Sequence, residues 1–236
     1  MTEPPPPPLR VSVVIPVYNE ARTVVEVVRR VLAGGRAEEV IVVDDGSTDG
    51  TFSVLAAVED PRLRLLKHDV NRGKGAALRT GFGAARGEIL VVQDADLEYD
   101  PADYGALLRP IEAGTADAVY GSRFLGGPHR VLFFWHYCGN RFLTLLSNMI
   151  TNLNLTDMET GAKAFRTDVL RKVTLREDRF GFEPEITAKL ARAGARIWET
   201  PVSYAGRTYA EGKKITWVDA LDVPWVLVRA SWIDPA

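Results

Sequence analysis

A chain of 236 residues, 46% hydrophobic and 25% charged, carries enough apolar material for one folded domain without disulfides or metals to staple it. Its formal net charge of −2 offers no electrostatic footing for nucleic acid, and the lone Cys138 excludes an internal disulfide and a cysteine-rich metal site. No apolar run approaches the ~20 residues that span a bilayer, and the opening MTEPPPPPLR has no signal-peptide core, so a cytoplasmic location is expected.

Residues 1–9, with five prolines from Pro4 to Pro8, read as a disordered or stiff leader. VSVVIPV at 11–17 is β-branched and apolar without alternation, which predicts a strand buried on both faces of a parallel sheet. In ARTVVEVVRRVLAG, Val24, Val27, Val28 and Val31 fall at helical spacing, and Gly34 and Gly35 stop the helix. EVIVV at 39–43 predicts a second strand, residues 50–58 a helix, and RLRLLKH a third short strand. An alanine-rich helix over 74–86 leads into a strand over 88–93. This β-α-β-α-β order predicts an α/β fold with a mostly parallel sheet and ligand loops at the carboxyl ends of its strands. Beyond it the pattern loosens: helix over 102–113, strand over 116–121, a long amphipathic helical region over 130–151, strand over 162–166, helix over 183–193, and a final strand in ARIWETPVSY. No linker or repeat interrupts 10–222, which reads as one domain with halves 10–101 and 102–222, followed by a short apolar tail over 223–236 that suits an interfacial helix.

Asp44 and Asp45 follow IVV directly, and Asp94 and Asp96 follow ILVVQ, so these acids belong to strand-end loops. An Asp-x-Asp pair just past a buried strand can aim two carboxylates at one hard cation such as Mg²⁺ or Mn²⁺, which can then bridge a diphosphate. Glu98 adds a third oxygen ligand or a water-mediated contact. Solvated or capping roles suit such acidic turns as well. DDGSTDG is good turn and N-cap material, while Asp45 is also placed to accept hydrogen bonds from a nucleobase or ribose. NRGKG at 71–75 precedes a helix, so its amides and Lys74 can face phosphate; it lacks the Walker spacing, and GFG at 81–83 is no dinucleotide fingerprint. His68, His129 and His136 share no metal-ligand spacing.

Taken in order, IPVYNE at 15–20, VVDDGSTDGT at 42–51, NRGKGAAL at 71–78, VVQDADLEYDP at 91–101, GSRF at 121–124, DMETGAKAFR at 157–166 and FEPEI at 182–186 resemble family 2 of the inverting nucleotide-sugar glycosyltransferases. With the run from Pro201 to Lys214, the resemblance covers roughly residues 11–220 and is nearest the dolichyl- and polyprenyl-phosphate mannose or glucose synthase branch. It implies an A-type glycosyltransferase (GT-A) fold, a nucleotide-sugar donor of the GDP-mannose or UDP-glucose type, Mg²⁺ or Mn²⁺, and a polyprenyl or dolichyl phosphate acceptor. A soluble hydroxyl acceptor is the main alternative, ahead of a nucleotide-sugar pyrophosphorylase or a non-catalytic nucleotide-sugar binding protein. Residues 10–101 then form the nucleotide-binding half and 102–222 the acceptor half.

At matching positions, the resemblance implies that Pro16, Tyr18 and Glu20 line the nucleoside and that Asp45 reads the base. Asp94, Asp96 and Glu98 match the metal motif, where relatives often carry Gln at the third position. Arg123 resembles an arginine that meets donor or acceptor phosphate. Arg207 resembles a mobile-loop arginine that closes over the phosphates, with Lys213 or Lys214 assisting. Asp157 and Glu185 either organise the acceptor pocket or tie the second half together. RVLFFWHYCGNRFLTLLSNMI at 130–150 is too polar to span a membrane; it suits an interfacial helix pair, a helix packed on the domain, or a homodimer interface. A membrane surface or membrane partner is therefore expected beside the nucleotide sugar and the lipid phosphate.

Overall fold

The chain is a computed structural model that describes residues 9–126, 128–131, 133–208 and 221–234. Seven strands form its sheet: β1 (Val11–Val17), β2 (Glu39–Asp44), β3 (Leu63–Lys67), β4 (Ile89–Val92), β5 (Ala118–Ser122), β6 (Lys163–Arg166) and β7 (Ile197–Pro201), in the order β3-β2-β1-β4-β6-β5-β7. β1 pairs in parallel with β2 on one side and β4 on the other, so the strand order reverses between β1 and β4. Open α/β sheets leave a ligand crevice at such a reversal.

The apolar strand runs have no alternation because both faces of the sheet are covered. Val13, Ile15, Val40, Val42, Ile89 and Val91 pack in one core with helices α1 (Val24–Ala33) and α4 (Tyr104–Glu112). Val14, Ile41, Val43, Leu90 and Val92 pack in a second core with α3 (Lys74–Ala84) and α7 (Phe182–Arg192). A Cβ on Gly81 would run into Val14, so α3 can lie this close to β1 only with glycine there. α2 (Thr51–Ala56), α5 (Phe134–Thr151), the single turn α6 (Thr167–Leu170) and α8 (Val223–Val228) complete the α-helices among the described residues.

One strand departs from the parallel expectation. β6 is antiparallel to both β4 and β5, so the start of this strand, rather than its end, faces the ligand rim. Residues 157–162 thereby join the loops that follow β1, β2, β4, β5 and β7.

The tail at 223–234 is part of the second core. Val223, Val226, Leu227 and Ala230 are buried, and α8 packs on α5 and α7. A π-helical turn, Arg229–Ile233, ends at Asp234, whose carboxylate lies 3.2 Å from Arg176 Nη1, 3.4 Å from Arg229 Nε and 3.5 Å from Lys189 Nζ. Burial of the three larger apolar side chains alone is worth about 5 kcal/mol. Truncation after Asp222 is therefore expected to lower the melting temperature by about 10 °C or more, measured by thermal denaturation.

Candidate active site

The acidic loop after β4 is shaped by its backbone. Leu97 adopts φ 65°, a conformation L side chains disfavour, and Glu98 N donates to Asp96 Oδ1 at 3.1 Å. This tight turn sends the side chains of Asp96 and Glu98 to the same guanidinium. Arg207 Nη2 lies 3.1 Å from Asp96 Oδ2, and its Nε lies 3.4 Å from Glu98 Oε1. Glu20, at the end of β1, grips the same group with Oε1 at 3.1 Å from Nη2 and Oε2 at 3.2 Å from Nη1.

Several short bonds hold this arrangement from behind. Thr23 Oγ1 donates to the Ala95 carbonyl at 2.7 Å with Glu20 Oε2 3.0 Å away, tying the loops after β1 and β4 together. Tyr204 donates its hydroxyl to Glu98 Oε2 at 2.8 Å, while the amides of Ala205 and Arg207 donate to Glu98 O and Oε1. Tyr204 also bridges to Tyr99 across the strand-like segments, with ring centroids 5.2 Å apart.

Asp94 faces a different cation. Lys74 Nζ lies 2.9 Å from Asp94 Oδ1 and 2.9 Å from Glu183 Oε1 on α7. Burial would lower the Lys74 pKa, but the two carboxylates overcome it and hold the ammonium well above the usual lysine value. Lys74, expected to face phosphate, bridges these two carboxylates in the structure.

Asp94, Asp96 and Glu98 therefore lie in one loop with their charges divided between two internal cations. Among the described residues, no three His, Cys, Asp or Glu side chains stand ready to hold an ion. Burial, then repulsion from Asp94 and Glu98, pushes the Asp96 carboxyl up to about 7 despite Arg207. Asp94 Oδ2 rests against Gly161, where a Cβ would collide with it. Gly161→Ala is expected to displace Asp94 and cut transfer at least about tenfold, measured as kcat/KM with labelled donor, while the melting temperature falls by only a few degrees.

Asp45 is buried, and its carboxylate faces its own loop region. Oδ1 accepts from Arg72 N at 3.0 Å and pairs with His68 Nδ1 at 2.6 Å, while Oδ2 accepts from Gly73 N at 2.7 Å. Its present role is to fasten the NRGKG loop to β2, with His68 braced by Thr80 Oγ1 at 2.9 Å. Beside it, Asp44 Oδ1 accepts from Ser47 N while Oδ2 is buried without a hydrogen-bond partner. Pro16 lies within β1 and Tyr18 is partly exposed just beyond it, on the same rim as Glu20.

Arg123 follows β5 and is locked by Asp157. Its Nε and Nη2 donate to the two carboxylate oxygens at 2.6 and 2.7 Å, and its backbone N adds a third bond at 3.1 Å. Its guanidinium also lies over the Tyr204 ring, 5.1 Å from the centroid, which links the end of β5 to the segment carrying Arg207. Burial opposes ionisation of Asp157, but Arg123 holds its carboxyl below the ordinary range. Glu185 belongs elsewhere: it accepts from the amides of Arg176 and Glu177 and pairs with Lys189 at 3.0 Å, so it secures α7 and its preceding loop. Lys213, Lys214 and Gly212 lie outside the described residues.

Glu183, Tyr204, Thr23 and Gly161 carry no signal as site residues on their own. Glu183 and Gly161 fall inside matched motifs, and Tyr204 precedes Arg207 by three residues, which is their only trace in the sequence.

Comparison with known proteins agrees with this geometry. Residues 12–174 match the profile of glycosyl transferase family 2. An undecaprenyl-phosphate mannosyltransferase of Micrococcus luteus is 34% identical over 220 residues, covering 87% of each chain. A polyprenol monophosphomannose synthase of Mycolicibacterium smegmatis is 30% identical over 217 residues, covering 88% of this chain and 82% of its own. A crystal structure of glucosyl-3-phosphoglycerate synthase from Mycobacterium tuberculosis, in complex with Mn²⁺, uridine diphosphate and glucosyl-3-phosphoglycerate, superposes with a TM-score of 0.75. It covers 97% of this chain and 82% of that one at 22% identity, a likeness of fold. With its GT-A-like α/β sheet and the ordered motifs on one rim, the chain belongs to glycosyl transferase family 2.

Proposed function

We propose that this enzyme transfers a hexose from a nucleotide sugar to polyprenyl or dolichyl phosphate with inversion, in the presence of Mg²⁺ or Mn²⁺. The observation that carries the donor half is the guanidinium of Arg207 ringed by Glu20, Asp96 and Glu98 at the strand-order reversal. The site already accommodates a positive group among hard oxygen donors, so its residues fit a divalent ion. Asp96, with Asp94 and Glu98, would hold that ion, which when bound supplies positive charge to the departing diphosphate. Pro16 and Tyr18 line the nucleoside and Glu20 lies toward the ribose. Asp45 shapes the base pocket through the 71–73 loop.

Arg123 is the acceptor's anchor in this reading. Asp157 fixes its fork, so the guanidinium meets a phosphate without a search for orientation. A phosphate is anionic near neutral pH and attacks without a general base, whereas a hydroxyl needs one within about 3 Å. Two further observations support a lipid carrier. Relatives at 30–34% identity include an undecaprenyl-phosphate mannosyltransferase and a polyprenol monophosphomannose synthase. In addition, α5 exposes Phe134, Trp135, Phe142, Leu145 and Met149, and the adjoining tail exposes Trp225 and Trp232. Such a face suits a membrane surface. No helix among the described residues is long and apolar enough to cross a membrane.

A second reading, transfer to a soluble acceptor, is supported by the likeness to the phosphoglycerate-linked synthase over 97% of the chain. The deciding experiment supplies purified protein with labelled GDP-mannose or UDP-glucose, Mn²⁺, and either polyprenyl phosphate in detergent or phosphoglyceric acid. Label in the lipid is the expected result. Label in the soluble acid alone replaces the first reading with the second.

A further inference from the structure

We propose that Arg207 occupies the cation position of the acidic site in the donor-free protein, and that a divalent ion takes this position only by exchange with it. The inference rests on the reading of Asp94, Asp96 and Glu98 as metal ligands. It adds a consequence: the ion and a nucleoside diphosphate must bind cooperatively, with Arg207 as the coupling group.

The geometry distinguishes two kinds of internal cation. Lys74 is fixed. It springs from the first turn of α3, where Cβ atoms on Gly73 and Gly75 would collide with the backbone of residues 177–178, and its ammonium bridges Asp94 and Glu183. Arg207 is the exchangeable one in this proposal: its backbone N is held by Glu98, while its guanidinium, at the end of a long side chain, is gripped by the side-chain carboxylates of Glu20, Asp96 and Glu98.

While docked, the guanidinium consumes the oxygens an ion would need. Both oxygens of Glu20, one of Asp96 and one of Glu98 lie within 3.1–3.4 Å of it. A divalent cation and a guanidinium cannot share that set, because like charges at such range repel strongly in a partly buried site. A diphosphate changes the balance by offering Arg207 a new anionic partner as it leaves the carboxylates. Each ligand then favours the other, and the coupling is reciprocal.

The test is calorimetric titration of Mn²⁺ into the full chain, with and without UDP and, separately, GDP. Arg207→Ala and Arg207→Gln are compared with the wild type, and their fold is checked by circular dichroism. The glutamine variant removes the charge but keeps a polar side chain, in case the alanine variant fails to fold. Mn²⁺ alone is expected to bind both variants about tenfold more tightly than wild type, and the help given by the diphosphate is expected to shrink by a similar factor. Unchanged or weaker Mn²⁺ binding in the folded variants overturns the proposal while leaving the metal ligands standing. Wild-type protein that binds Mn²⁺ equally well with and without either diphosphate overturns it too. If Mn²⁺ binds no form under any condition, the metal reading itself falls, and this inference falls with it.

Discussion

Asp96→Asn is expected to reduce transfer roughly a thousandfold, yet to leave the metal-free protein at least as stable as wild type at pH 8. The two effects have one source. Burial and the neighbouring Asp94 and Glu98 carboxylates push Asp96 up to about 7. In the unfolded chain an aspartate titrates near 3.9. A carboxyl raised on folding makes its full contribution to stability below about pH 4 and loses it as pH climbs through 7. At pH 8 the ionised side chain is thus a burden the fold carries in order to attract positive charge. Asparagine keeps one oxygen acceptor, for either Arg207 or the Glu98 amide, while removing the charge repulsion among the three acids. Denaturant titration in chelator is expected to show a stability gap in favour of Asn that widens from pH 5 to pH 8, reaching about 1–3 kcal/mol. A gap that runs the other way would mean that Arg207 outweighs the crowding of the three acids.

The second large effect falls on Arg123 and its partner Asp157. Asp157 is fully buried and takes both forks of Arg123, the Arg123 amide, and Asn140 Nδ2 at 3.2 Å. Asp157→Asn leaves a guanidinium in a largely enclosed position without its counter-charge, a change that costs about 3–5 kcal/mol in comparable buried pairs. For a domain of this size that corresponds to a fall of about 10 °C in melting temperature. If Arg123 anchors the acceptor phosphate, steady-state kinetics should show a rise in acceptor KM well beyond any change in donor KM. A wild-type melting temperature together with an unchanged acceptor KM would remove Asp157 from this role.

The first half of the fold was readable because its physics is local. Runs such as VSVVIPV have no alternation only if both faces are buried, and the turn residues that end them mark the ligand rim. The direction of β6 was not readable. Four residues, KAFR, carry no periodicity that distinguishes parallel from antiparallel pairing, and the choice is made by where the chain returns after α5. The tail was equally opaque: an eleven-residue apolar stretch with two tryptophans suits a membrane surface or a core, and here Val226 and Leu227 go inward while Trp225 and Trp232 stay out.

Within the site, the motifs located the acids but could not assign their partners. Asp94 and Asp96 are two residues apart, yet one turns to Lys74 and the other to Arg207. Pairing across 20 and 111 positions depends on tertiary packing, which spacing along the chain does not encode. The same holds for Glu183. It looks like an ordinary first-turn carboxylate of α7 until the fold brings Lys74 beside it.

In the proposed function the acids after β4 form the place where a cation meets the donor diphosphate. The most direct test is anomalous diffraction from crystals grown with Mn²⁺ and a nucleoside diphosphate. The predicted result is one manganese peak bound by Asp96 and bridged to the diphosphate, with Arg207 moved from the carboxylates onto phosphate oxygens. A diphosphate bound at this rim with manganese absent from Asp94, Asp96 and Glu98, and Arg207 still held by Glu20, would contradict the account.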